Sequence, residues 1–91
     1  MHSEAKTSVM KRLNRIEGQV KGIGRMVDEN RYCIDIVTQI AAARAALGKA
    51  EEEILRDHVA HCDEHAIESG DKDEQRQKIS EIMEVLGRAR R

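Results

Sequence analysis

The chain has 91 residues, no proline, phenylalanine or tryptophan, a single tyrosine, 36% charged residues and a formal net charge of −1. A domain that small has too thin an aliphatic core to stand well alone, and two cysteines exclude a disulfide framework, so oligomerisation is expected to supply the missing burial. The absence of a secretory apolar region and of any membrane-length apolar run makes the cytoplasm the expected compartment, where thiols stay reduced and cysteines serve metal or redox chemistry.

The first expected helix covers residues 3–28, with Ser3 as its N-cap. Its apolar positions Val9, Leu13, Ile16, Val20, Ile23, Met26 and Val27 recur at steps of three and four. Gly18 and Gly22 stand four apart inside it, either for close approach of another backbone or as a flexible joint. Residues 1–31 hold seven basic and four acidic side chains, while the remaining sixty hold nine and thirteen. A basic first helix on an acidic body is a phosphate-binding face or an ordinary solvated one.

Glu29 and Asn30 break the pattern. The second expected helix covers residues 31–67, with Cys33, Val37, Ile40, Leu47, Ile54, His58 and Cys62 in one stripe. That length calls for a coiled-coil or bundle partner. The run from Ala41 to Gly48 is dominated by small side chains, and Leu47 lies near the midpoint between Cys33 and the His58/Cys62 pair. A two-fold axis there would cross two such helices where they are thinnest; good helix-forming composition explains the alanines equally well. After the break at Ser69, Gly70 and Asp71, a short third helix is expected over residues 73–87, with Ile79, Ile82, Met83 and Leu86 as its apolar stripe. The whole chain, 1–91, reads as a single all-α domain.

His58 and Cys62 are one helical turn apart and point the same way. Cys33 lies 25 residues before His58 on that face, about 20° short of seven full turns and about 37 Å distant along a continuous helix. The three groups therefore meet only if a second copy runs antiparallel, its Cys33 opposite this chain's His58 and Cys62. Two thiolates and an imidazole are a soft set: trigonal Cys2His favours Cu(I), Zn(II) wants a fourth ligand and Ni(II) more nitrogen. His2, His61 and His65 fall outside this primary set. The chain has no phosphate-cradling glycine loop and no Ser/His/Asp pattern, and is expected not to be an enzyme.

Four segments carry a resemblance: Arg12 to Gly22 (Arg-Leu-Asn-Arg-Ile-Glu-Gly-Gln-Val-Lys-Gly), Arg31-Tyr32-Cys33, Gln39-Ile40-Ala41-Ala42 and His58-Val59-Ala60-His61-Cys62. Together they closely resemble the CsoR/RcnR family of bacterial metal-sensing repressors. The resemblance implies three helices per protomer, an antiparallel four-helix-bundle dimer, and a disc-like homotetramer that binds operator DNA in the apo form and releases it on metal binding. It further implies Cu(I) as inducer for the set Cys33, His58 and Cys62, with Tyr32 and a third-helix glutamate behind the ligands; Glu81 is chosen, with Glu84 as the alternative. Arg12, Arg15 and Lys49 match the family's basic DNA-contacting positions, while Lys11 and Lys21 are proposed from charge alone. An Ni(II)- or persulfide-responsive repressor of the same family, and a metal-buffering helical oligomer without a DNA role, are the rival readings.

Overall fold

The computed structural model describes residues 1–63 and 68–89. Regular structure among these residues is helical. Helix α1 spans Ser3–Asp28, α2 spans Cys33–His58 and runs into a π-helical segment over Val59–Asp63, and α3 spans Lys72–Ala89. No described helix is long and apolar enough to cross a membrane. The chain divides into two compact units, Met1–Arg56 and Asp57–Arg91.

The first unit is a helical hairpin. α1 has the bounds expected from its periodicity, but its N-cap is His2, which makes no side-chain capping bond. Ser3 is already helical, and its carbonyl accepts a 2.9 Å bond from the Thr7 hydroxyl. The turn closes at Asn30, whose φ of 55° is left-handed; its short amide side chain makes it one of the few non-glycine residues that tolerate that conformation.

Each long helix carries two adjacent apolar rows, and the hairpin covers only one of each. On α1, Val9 and Ile16 are buried, whereas Leu13, Val20 and Val27 stand open. On α2, the residues turned inward are small: Ala43 and Ala50 are buried and Ala46 is half-buried. The aliphatic row of α2 (Ile34, Val37, Ile40, Leu47 and Ile54) is exposed. At about 100° per residue, the open row lies about 40° from the inward face on α1 and about 90° from it on α2, and both fall on one side of the antiparallel hairpin. The alanines expected to thin a two-fold crossing therefore include those that let α1 approach α2 within one chain. An added Cβ at Gly18 would meet nothing within 4 Å, and one at Gly22 would meet only the Arg25 side chain. Neither glycine is there for a close backbone approach within the protomer.

In the second unit, the α geometry expected over residues 31–67 gives way after His58 to a π-helix of five residues, Val59–Asp63, and residues 64–67 of that expected helix lie outside the described residues. Such π-helical segments concentrate at functional sites. Gly70 occupies the left-handed region at φ 73°, a conformation that favours glycine. Asp71 then caps α3: its Oδ1 accepts from the backbone N–H groups of Asp73 and Glu74 at 2.9 and 3.2 Å. Ile79, Met83 and Leu86 of α3 are exposed, so this stripe too lacks full cover in the protomer.

Candidate functional site

Cys33 opens α2 as an exposed free thiol, with Tyr32 exposed immediately before it. His58 closes the same helix, half-buried. The backbone of Cys62 belongs to the π-helical segment, while its side chain, like the whole of His65, lies outside the described residues.

His58 has a carboxylate beside it. Its Nε2 lies 3.9 Å from Oε2 of Glu81 on α3, and Lys78 Nζ lies 3.7 Å from the same oxygen. Glu84 points elsewhere: it is 71% exposed and pairs with Arg88 at 3.8 Å. Of the two glutamates offered by the sequence, Glu81 is the one next to the imidazole. A distance of 3.9 Å is an electrostatic contact, about 1 Å longer than a good N–H···O bond. His61, one step off the ligand stripe, pairs instead with Asp57 at 3.5 Å.

The donors suit a soft metal. Cys33 offers an exposed thiol and His58 an imidazole whose Nε2 lies beside a carboxylate. A carboxylate behind a ligating histidine is the usual device for fixing its tautomer and ring orientation. Thiol and imidazole are donor types that suit a soft metal.

The basic residues fall away from the open apolar rows. By helical spacing, Arg15 and Lys49 lie on the opposite side of the hairpin; both are exposed, with no ion pair among the described residues. Arg12 is different. Its Nε–H donates to Glu53 Oε2 at 2.9 Å, joining α1 to α2 across 41 residues of sequence. The Ser8 hydroxyl, the Arg12 guanidinium and the Arg56 charge hold the Glu53 carboxyl below the usual range despite opposing desolvation. Lys21 is engaged by Glu17 at 3.1 Å. Sequence reasoning missed Glu53, since helical periodicity carries no signal for a pair 41 residues apart.

The model of the metal-sensitive transcriptional repressor family matches residues 5–88. The copper-sensing transcriptional repressor CsoR of Bacillus subtilis is 47% identical over 84 residues, covering 92% of this chain and 80% of that protein. Among solved structures, the copper-sensing repressor CsoR with Cu(I) from Geobacillus thermodenitrificans superimposes with a TM-score of 0.88 at 42% identity, covering all of this chain and 92% of the other. The nickel-responsive transcriptional regulator InrS gives a TM-score of 0.76 at 38% identity, with 90% and 89% covered.

Proposed function

Since this chain belongs to the family of metal-sensitive transcriptional repressors and is therefore a regulator acting on DNA rather than an enzyme, we propose that Cu(I) is its signal and that the metal binds between two protomers. Cys33 of one protomer joins His58 and Cys62 of its partner. The observation that carries this reading is the ligand geometry: Cys33 and His58 are the first and last residues of one 26-residue α-helix, so their separation is about 37 Å at about 1.5 Å per residue. An antiparallel second copy brings one end of α2 against the other.

The uncovered rows support docking of that copy on one side of the hairpin. Leu13, Val20 and Val27 of α1 and Val37, Ile40, Leu47 and Ile54 of α2 are open on the side of the hairpin away from Arg15 and Lys49. Two hairpins joined there bury both aliphatic stripes in a four-helix bundle and leave the basic faces outward. Pairing of such dimers into a homotetramer extends the basic surface for operator DNA. Arg12, Arg15 and Lys49 act mainly on phosphates, so affinity is salt-dependent and sequence choice rests in part on DNA shape. The cytoplasm, where DNA and reduced thiols coexist, is the place of action.

Bound Cu(I) supplies a soft, compact cross-link between thiolates and imidazole. With the metal held by His58, the imidazole Nε2–H would donate to Glu81 and so tie α3 to the end of α2. A coupling of about 1–3 kcal/mol between metal and DNA sites changes operator affinity about 5- to 150-fold, sufficient for induction. Similarity to nickel-responsive InrS makes Ni(II) the second reading. The test is anaerobic fluorescence anisotropy of apo-protein on a duplex from its own promoter, titrated in parallel with Cu(I), Ni(II) and Zn(II). Release at about one Cu(I) per protomer, unmatched by the other metals, is expected from a single three-ligand site. Release by Ni(II) alone would replace the copper reading, and a protein that never binds DNA would sink both.

A further inference from the structure

Glu53 belongs neither to the metal ligands nor to the basic surface, yet a donor of α1 is bound to it. The Arg12 Nε–H reaches Oε2 at 2.9 Å. The contact is partly sheltered, with Glu53 24% and Arg12 43% exposed. The neighbouring Arg56 is turned to Glu52, at 2.9 Å, and does not compete for this carboxylate by hydrogen bonding.

A guanidinium is a planar fork with five N–H donors. Here a single donor, Nε–H, is taken by a single oxygen, leaving the four N–H groups of the terminal nitrogens for another acceptor. Two parallel N–H···O bonds from that outer edge are the strong geometry for a phosphate. A carboxylate that blocked Arg12 would occupy that edge itself. A carboxylate that holds Arg12 ready would grip the inner nitrogen, as Glu53 does. An arginine ordered beforehand also loses less freedom on binding.

We infer that Glu53 is a positioning residue for DNA: it fixes the Arg12 guanidinium by its Nε–H so that the two terminal nitrogens meet a backbone phosphate. This rests on the reading of Arg12 as a DNA contact. It makes a carboxylate, which by charge alone opposes DNA binding, a contributor to it.

The test measures affinity of full-length apo-protein for a promoter duplex across a salt series, for wild type, Arg12→Ala, Glu53→Ala, Glu53→Gln and the Arg12→Ala/Glu53→Ala double variant, with thermal unfolding alongside. Glu53→Ala is expected to weaken binding about 3- to 10-fold, and the double variant to be no weaker than Arg12→Ala, because the two side chains act as one unit. Glu53→Gln keeps an oxygen for the Nε–H and sheds the charge, so it should bind at or above wild-type strength. Arg12→Ala should also flatten the salt dependence, by about one unit of log–log slope for each phosphate that Arg12 neutralises in wild type. If both Glu53 variants bind more tightly, Glu53 masks Arg12 and the inference is overturned; additive losses overturn it as well. An unchanged Arg12→Ala variant would instead remove Arg12 from the DNA surface, a failure of the underlying reading that this set distinguishes. Should Glu53→Ala fail to fold, Glu53→Asp, one methylene short of Arg12, takes its place with the same expectation.

Discussion

Mix protomers carrying Cys33→Ala with protomers carrying His58→Ala and Cys62→Ala, allow them to exchange, and a metal site should return that neither variant has alone. The reasoning rests on α2. Cys33 and His58 bound a single 26-residue helix about 37 Å from end to end, whereas donor atoms of one metal ion lie within about 4–5 Å of each other, at about 2.0–2.3 Å from the metal. In a two-fold dimer each site takes Cys33 from one protomer and the other two ligands from its partner, so a mixed dimer has one intact site and one void of all three ligands. Random pairing at equal amounts makes about half of the dimers mixed, which gives about 0.25 tight Cu(I) per protomer against about 1 for wild type, by symmetry. Anaerobic competition against a Cu(I) chelator reads the stoichiometry, and native mass spectrometry verifies that mixed dimers formed. Mixed dimers without tight Cu(I) would refute the shared site, and so would either variant alone binding at wild-type strength.

Replacing Leu47, which is 47% exposed in the protomer, with lysine should leave the hairpin folded but shift the assembly to monomers in sedimentation, since a charge buried between two stripes is costly; an unchanged oligomer would put the interface elsewhere. Ile16→Ala should cost about 2–4 kcal/mol in urea unfolding, because Ile16 is 5% exposed and its removal leaves a cavity between α1 and α2. Glu81→Gln should retain Cu(I) affinity yet blunt DNA release, whereas Glu84→Gln, paired only with exposed Arg88, should change neither; equal effects would remove Glu81 from the route between the sites. The Glu53 carboxyl is lowered in the folded chain, so its contribution to stability is complete above the ordinary carboxylate value, about 4.3, and disappears as the pH falls through the lowered value. Glu53→Gln should therefore flatten this part of the acid limb of a melting-temperature profile, and a profile parallel to wild type would contradict the assignment.

Local information in the chain settled where the three helices lie and where the chain turns between them, though not the change to a π-helix after His58. Steps of three and four marked α1 over the observed bounds, and Asn30 and Gly70 stand where the two turns form. A 25-residue gap between Cys33 and His58 also showed that one helix cannot close a three-ligand site, because rise and rotation per residue are properties of the backbone alone. Tertiary structure decided what local periodicity leaves open. Two adjacent apolar rows on one helix look equivalent until a neighbouring helix covers one of them; here Val9 and Ile16 are covered and Leu13, Val20 and Val27 are left open. The choice of Glu81 over Glu84 beside His58, and the capture of Arg12 by Glu53, depend on how each helix is set against the next. That setting is a property of side-chain packing between segments distant in sequence.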